Sequence, residues 1–224
     1  MESEGQTIFT TFLNSGLHGA AWPKDVYSVI GFKPCNNPLQ LTCAAVEKNN
    51  SDSHSEQNVI TFLRQKLRQR SLPSQTIRWF INYSPCRNCS DEIIRFIQEA
   101  RTFGVAITIN MTFSFLYKIR SPSCEELLHS HLQSVSQWEH QRNVEGLEQL
   151  ERNGVSVCTF GGADWEELSR LLSVEHHPFL YYGSRRQGED AVMRTDFHRL
   201  VPRPSFKGYY GLIFFSYLEN NVVC

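Results

Sequence analysis

The chain has 224 residues, 41% of them hydrophobic, and carries 22 basic against 23 acidic residues for a net charge of −1. This is long enough for one sizeable core and argues for a globular fold, while no apolar run reaches the ~18 residues that a membrane span requires. The acidic start, residues 1–6, lacks the basic-then-apolar pattern of a secretory signal. Seven cysteines without a spaced framework suit a reducing compartment, so a cytoplasmic protein with access to the nucleus is expected.

In chain order, residues 26–32 and 39–46 read as paired strands joined by a turn around 34–38, and 48–53 as a polar loop. Residues 55–70 read as a helix, with Val59, Phe62, Leu63 and Leu67 at helical spacing and basic residues in its last turn. A strand follows at 76–83, with Ile77, Trp79 and Ile81 as core residues, then a helix over 88–102 with a stripe of Ile93, Ile94 and Ile97. Residues 105–115 and 155–160 are two further strands, and helices are expected at 144–153 and 164–174. Asp164-Trp165-Glu166-Glu167 resembles a capping arrangement for the last of these. Leu127, Leu128, Leu132, Val135 and Trp138 suggest an amphipathic helix that extends the one beginning at 144. Residues 208–224 are apolar without a clear period and read either as an edge strand or as a tail. Strands alternating with helices predict an α/β sandwich around one mostly parallel or mixed sheet, in a single domain spanning residues 1–224.

His54-Ser55-Glu56, followed a strand later by Pro85-Cys86-Arg87-Asn88-Cys89, supplies one imidazole, two thiols and one carboxylate. His54 and Glu56 fall at the beginning of one predicted helix, where side chains lean past the N-terminus. Cys86 and Cys89 are three apart and share a face if a helix starts near Pro85. A helix N-terminus favours negative charge and so lowers thiol pKa. Three protein ligands with an open fourth position form the catalytic zinc arrangement, in which a bound water has a pKa near about 7. The competing readings are a redox pair or half of a structural zinc knuckle, but no second C-x-x-C or H-x3-H is present to close a four-ligand site. Cys35, Cys43, Cys124, Cys158 and Cys224 are scattered.

The H-x-E…P-C-x-x-C pattern resembles the signature of zinc deaminases acting on nucleobases. Trp79-Phe80-Ile81-Asn82-Tyr83-Ser84-Pro85-Cys86 is similar to the W-x-x-S-x-S-P-C strand end of the AID/APOBEC polynucleotide cytidine deaminases. Glu145-Gly146-Leu147, then Leu150 and Asn153-Gly154-Val155, resembles that family's passage from helix to strand after the substrate loop. Residues 25–33 parallel its first strand, and Asn49 sits five before the ligand histidine, like a nucleotide-contacting asparagine there. The resemblance covers roughly residues 8–174 and marks a divergent member, with an insertion at about 119–143 and a divergent region at 175–224. It implies a cytidine-deaminase-like three-layer α/β/α fold with a central five-stranded mixed sheet flanked by helices, and residues 185–200 as a final helix burying Val192, Met193, Phe197 and Leu200.

The resemblance also implies a function: hydrolytic deamination of cytosine to uracil in single-stranded DNA or RNA, with Zn2+ held by His54, Cys86 and Cys89. Zinc-bound water would be the nucleophile and Glu56 the proton shuttle. Asn49 would hold the sugar and Tyr83 would stand in for the family's aromatic wall. Ser84 would offer a backbone carbonyl to the amino group, and Phe115 and Tyr117 would stack on the target or the preceding nucleotide.

Plainer readings stand beside these. Asn49 lies in a polar loop, Trp79 suits the core, Phe115 alternates as a strand residue does, and Ser84 suits a helix cap. Two residues depart from the family pattern: Val26 replaces a threonine in the first strand, and Tyr83 replaces the tryptophan before Ser-Pro-Cys. Net charge is too low for a broad basic groove. Arg64, Lys66, Arg68 and Arg70 read as a solvated face, whereas Lys118 and Arg120 are better placed for phosphates. His129, His131, His140 and Cys124 have poor spacing for a second metal. Two alternative functions stay open: a weakly active relative that binds nucleic acid or a partner, and a deaminase of free cytidine or its nucleotide.

Overall fold

The computed structural model describes residues 3–17, 23–33, 41–122, 135–174 and 183–202. The expected turn at 34–38, most of the insertion (with Cys124, His129 and His131) and the apolar stretch at 208–224 lie outside the described residues. In chain order the elements are α1 (Glu4–Asn14), β1 (Tyr27–Lys33), β2 (Thr42–Lys48), α2 (Ser55–Arg68), β3 (Gln75–Tyr83) and α3 (Arg87–Thr102). There follow β4 (Ile107–Phe115), α4 (Gln137–Arg152), β5 (Ser156–Thr159), α5 (Gly162–Leu171) and α6 (Ser184–Leu200). Among the described residues, no helix is long and apolar enough to cross a membrane.

The five strands form one mixed sheet of order β2-β1-β3-β4-β5. The β1 strand runs antiparallel to β2 and β3, whereas β3, β4 and β5 run parallel. Parallel neighbours need a crossover. Here α3 links β3 to β4 and α4 links β4 to β5, which lays the two helices side by side.

Side-chain alternation assigns the two faces of the sheet. Ile77, Trp79, Ile81 and Tyr83 of β3 join Ile109, Met111, Phe113 and Phe115 of β4 in one core, under Val59, Leu63, Ile93, Phe96, Ile97 and Leu147 of α2, α3 and α4. Val29 and Phe80 point the other way, into a second core with Phe9, Phe12, Phe160, Trp165 and Leu168 around α1 and α5. The sheet is therefore sandwiched between helices, as the resemblance implies. Trp79 is a core residue.

The α1 helix was not among the elements read from the sequence, because Thr7, Ile8, Phe9, Thr10 and Thr11 are weak helix formers. It forms because Ser3 caps it and because Ile8, Phe9, Phe12 and Leu13 bury one side against the sheet. The α4 helix begins seven residues before the expected position 144, at a capping box in which the Ser136 hydroxyl accepts from the Glu139 amide (3.1 Å) and Glu139 accepts from the Ser136 amide (3.3 Å). This cap starts the helix at Gln137, inside the insertion, so that it does not run back through Val135. In α6, Met193 and Phe197 are buried as expected, but Val192 is 38% exposed, one position off the buried stripe.

One ion pair joins four elements. Arg186 of α6 donates to the carbonyls of Leu13 (3.0 Å), Ser15 (2.8 Å) and Ser114 (3.2 Å), which ties it to the end of α1 and to β4. Asp190, one turn on, pairs with Arg186 at 2.8 Å and accepts from the Trp165 indole of α5 at 2.8 Å. Both charged side chains are almost fully buried. Removing the carboxylate leaves the guanidinium buried with uncharged partners only, a change that costs about 3–5 kcal/mol. Asp190→Ala is accordingly expected to lower unfolding stability by that amount in a urea titration, against less than about 0.5 kcal/mol for an exposed change such as Gln141→Ala.

Candidate active site and metal centre

Two helix starts meet at one point above the sheet. His54 is the N-cap of α2, where its amide donates to Gln57 Oε1 at 2.8 Å. The β3 strand runs through Ser84 and Pro85 directly into α3, with Cys86 as N-cap and its carbonyl accepting from the Ser90 amide at 2.9 Å. Cys89 lies in the first turn of α3 and is buried. His54 Nδ1 lies 3.7 Å from Cys86 Sγ and 3.3 Å from Cys89 Sγ, and the three ligand atoms all fall within 4.8 Å of one another.

This donor set fits zinc. Tetrahedral coordination at ordinary Zn–N and Zn–S lengths places nitrogen and sulfur about 3.6 Å apart, and the two observed separations bracket that value. As a pair of thiols, the Cys89 S–H donates to Cys86, which holds the Cys86 pKa down to about 5 despite its burial. The same hydrogen bond, with burial, pushes Cys89 up. Metal binding must therefore expel the shared proton.

Glu56 sits beside the cluster, 3% exposed, and burial raises its pKa although His54 pulls in the opposite direction. The Ser55 hydroxyl donates to Glu56 Oε2 at 3.2 Å and lies 3.0 Å from the hydroxyl of Ser28 on β1. These two buried serines hold the carboxylate in place from the sheet side.

A cavity of about 160 Å³ opens over these groups, lined by Lys24, Val26, Asn49, His54, Glu56, Tyr83, Ser84, Cys86 and Tyr117. Four of the five expected substrate residues (Asn49, Tyr83, Ser84 and Tyr117) line it. Asn49 is fixed by two reciprocal bonds to Val26: its Oδ1 accepts from the Val26 amide (2.7 Å), and its own amide donates to the Val26 carbonyl (2.9 Å). The Tyr83 hydroxyl donates to the Pro23 carbonyl at 3.0 Å, and its ring meets that of Tyr117 edge-on at 6.5 Å. Ser84 does not cap α3. Its hydroxyl accepts from the Tyr117 amide (2.9 Å) and its amide donates to the Phe115 carbonyl (2.7 Å), which positions the loop after β4.

Phe115 is the fifth, and the structure does not bring it to the cavity. It is 3% exposed within the core, and a side chain at Gly16 would run into its ring. Its parity along β4 matches Met111 and Phe113, so it points into the sheet's covered face. Of the two expected phosphate contacts, Lys118 pairs with Glu139 at 3.0 Å. Arg120 instead turns its side chain to the Val135 carbonyl, while its amide donates to His140 Nδ1 at 3.1 Å. Arg64 is not simply solvated: it bridges α2 to α3 through Glu92 and through Glu99 at 2.7 Å.

Sequence reasoning missed several supports. Asn143 accepts from the Arg87 amide at the head of α3 (3.0 Å) and donates to the Tyr117 carbonyl (3.2 Å), clamping the cavity's rim to the cysteine helix. Gly146 lets α4 approach α3 closely, since a Cβ there would come 3.0 Å from the Arg87 Cα and the Ser90 hydroxyl. Asn82 holds the Lys24–Val26 wall by accepting from the Tyr27 amide (2.8 Å) and donating to the Asp25 carbonyl (3.0 Å). The glycine of Glu-Gly-Leu was a signal for close helix approach. The two asparagines carried none.

A five-stranded α/β/α sandwich that brings an imidazole, two thiols and a buried glutamate to one open cavity has the architecture of the zinc-dependent nucleobase deaminases. Residues 21–167, more than half of the chain, match the family described as APOBEC3, cytosine deaminase domain, and the chain belongs to that family. The rat "DNA dC->dU-editing enzyme APOBEC3" (Rattus norvegicus) is 26% identical over 98 residues, 43% of this chain and 22% of the relative. The cat "DNA dC->dU-editing enzyme APOBEC-3Ca" (Felis catus) is 29% identical over 73 residues, 33% of this chain and 35% of the relative. The aligned part thus spans about a fifth to a third of the length of these relatives.

Because the thiols must lose protons to bind metal, zinc affinity is expected to fall as pH drops below neutral. Competition with a chromophoric chelator at about pH 5.5 and about pH 7.5 would show weaker retention at the lower value. Equal retention at both would contradict the thiolate ligand set. Elemental analysis is expected to find about one zinc per chain, largely lost in Cys86→Ser.

Proposed function

We propose that the chain is a hydrolase that deaminates cytosine to uracil in single-stranded polynucleotide, with DNA as the first substrate to test. The observation that carries this reading is the placement of Glu56: a buried carboxyl beside the His54–Cys86–Cys89 cluster, at the floor of an open cavity with aromatic and amide walls. The DNA editing named for the relatives supports the choice of substrate.

His54, Cys86 and Cys89 would hold zinc, which when bound supplies the Lewis acidity that makes water a nucleophile near neutral pH. Glu56 takes a proton from the attacking water and passes it to N3 of the ring, which makes C4 electrophilic. The water oxygen bonds to C4, Glu56 takes the remaining proton of the resulting hydroxyl and delivers it to the amine, and the C4–N4 bond breaks as the C4 carbonyl forms, leaving uracil and ammonia. The raised pKa of Glu56 suits a group that must both accept and donate a proton. Ser55 and Ser28 keep its carboxylate aimed. With Oδ1 of Asn49 taken by the Val26 amide, its side-chain NH2 is the end that would donate to a sugar oxygen. Tyr83 and Tyr117 wall the base on one side.

Incubation with deoxycytidine, with a single-stranded oligodeoxynucleotide containing cytosine and with its RNA counterpart tests this reading. Uracil is expected in the oligodeoxynucleotide, and Glu56→Ala is expected to reduce the rate by at least about 10²–10⁴-fold. Uracil from none of the three would sink the enzymatic reading. Conversion of the free nucleoside alone would sink the polynucleotide one.

A further inference from the structure

The segment 49–54, between β2 and α2, belongs to no helix or strand and carries a functional group at each end: the amide of Asn49 and the imidazole of His54. A connection of this kind is mobile unless its polar groups are held. Asn58, in the first turn of α2, holds both ends. Its side-chain NH2 donates to the Lys48 carbonyl at 2.8 Å, and its Oδ1 accepts from the Ser53 hydroxyl at 2.7 Å. Side chains near a helix start lean back past it, which lets Asn58 reach over the loop. Lys48 and Ser53 are the residues immediately before Asn49 and His54. The Lys48–Asn49 peptide is therefore fastened on both edges: its carbonyl accepts from Asn58, and its N–H donates to the Val26 carbonyl at 2.9 Å. Because a peptide is planar, this fixes the direction in which Asn49 leaves the strand. At the other end, Asn50 Oδ1 accepts from the amides of Asp52 (2.8 Å) and Ser53 (2.9 Å), and the Asn50 amide donates to the Ser53 carbonyl (3.0 Å). The loop is thus folded on itself and joined to α2 through one side chain.

We infer that Asn58 is a positioning residue that sets the spacing between the substrate-holding amide of Asn49 and the metal ligand His54. It does not line the cavity and acts through Lys48 and Ser53. The inference rests on the reading of Asn49 as a sugar contact made above. Spacing matters because the sugar fixes where the base lies over the reacting centre, and a misplacement of about 1 Å can cost about 10²-fold in rate. An amide suits this place because it is donor and acceptor at once: the Lys48 carbonyl can only accept, so the Asn58 oxygen is left for Ser53. A carboxylate would satisfy the serine alone, and an aliphatic side chain neither partner. Each end of the clasp can therefore be released separately.

The test compares the full-length, zinc-loaded chain with Asn58→Ala and Asn58→Asp in two measurements. One is steady-state kinetics on a cytosine-containing oligodeoxynucleotide, and the other is the rate of zinc transfer to a chromophoric chelator. In Asn58→Ala, KM is expected to rise about 3- to 30-fold and zinc to transfer about 10-fold faster, with kcat of the zinc-loaded enzyme nearly unchanged. Asn58→Asp keeps the acceptor for Ser53 and loses the donor for Lys48, so zinc transfer should return to the parent rate while KM stays raised. A merely structural residue would shift both together with the melting temperature. Unchanged KM and zinc transfer in Asn58→Ala, or both shifted alike in Asn58→Asp, overturn the inference. If the parent chain deaminates the oligodeoxynucleotide and either result is found, only the role of Asn58 is wrong. If the parent deaminates no substrate, the enzymatic reading fails, and Kd for the same oligodeoxynucleotide from fluorescence anisotropy takes the place of KM in the comparison. An unchanged zinc-transfer rate in Asn58→Ala sinks the inference in either case.

Discussion

The close approach of α3 and α4 is the constraint on which the site depends. Parallel strands β3, β4 and β5 demand crossovers, and the two crossover helices lie side by side. Gly146 lets their backbones come together at the head of α3, where Cys86 and Cys89 sit. From there Asn143 reaches the Arg87 amide and the Tyr117 carbonyl together. A single contact between two helices therefore fixes both the thiol pair and the rim of the cavity.

The opposing wall hangs from the sheet. Asn82, on the face of β3 turned away from the metal cluster, holds the segment before β1, and Asn49 holds the end of β2 to that segment through Val26. Ser28 meets Ser55 behind Glu56. The Glu56 carboxyl is thus supported by rigid elements, while Asn49, Ser84 and Tyr117 stand on the segments just beyond the strands. Such a division is expected where chemistry needs fixed geometry and recognition needs an accessible surface.

How much was legible in the sequence followed the range of the interaction concerned. The 3.6-residue stripes of Val59, Leu63 and Leu67 and of Ile93 and Ile97 are local, so α2 and α3 could be read to within a residue or two of their ends. The metal donors were readable because two spacings, His-x-Glu and Cys-x-x-Cys, encode their chemistry. Phe115 misled because a strand's alternation shows that two faces exist but not which one meets the ligand. Arg120 misled because its partner, the Val135 carbonyl, lies across the insertion. α1 went unread because its stability comes from tertiary burial rather than from propensity. Trp138 was read as the apolar side of an amphipathic helix, but the Ser136 cap starts α4 just before it and leaves the indole in the open.

The central claim is that His54, Cys86 and Cys89 together hold a catalytic zinc ion. X-ray absorption spectroscopy of the zinc-loaded protein tests it most directly, because scattering from sulfur and from lighter atoms is separable. The account predicts two sulfur neighbours at about 2.3 Å and two lighter ones at about 2.0–2.1 Å, one from imidazole and one from solvent or substrate. A shell of four sulfurs, or one with no sulfur, would contradict it.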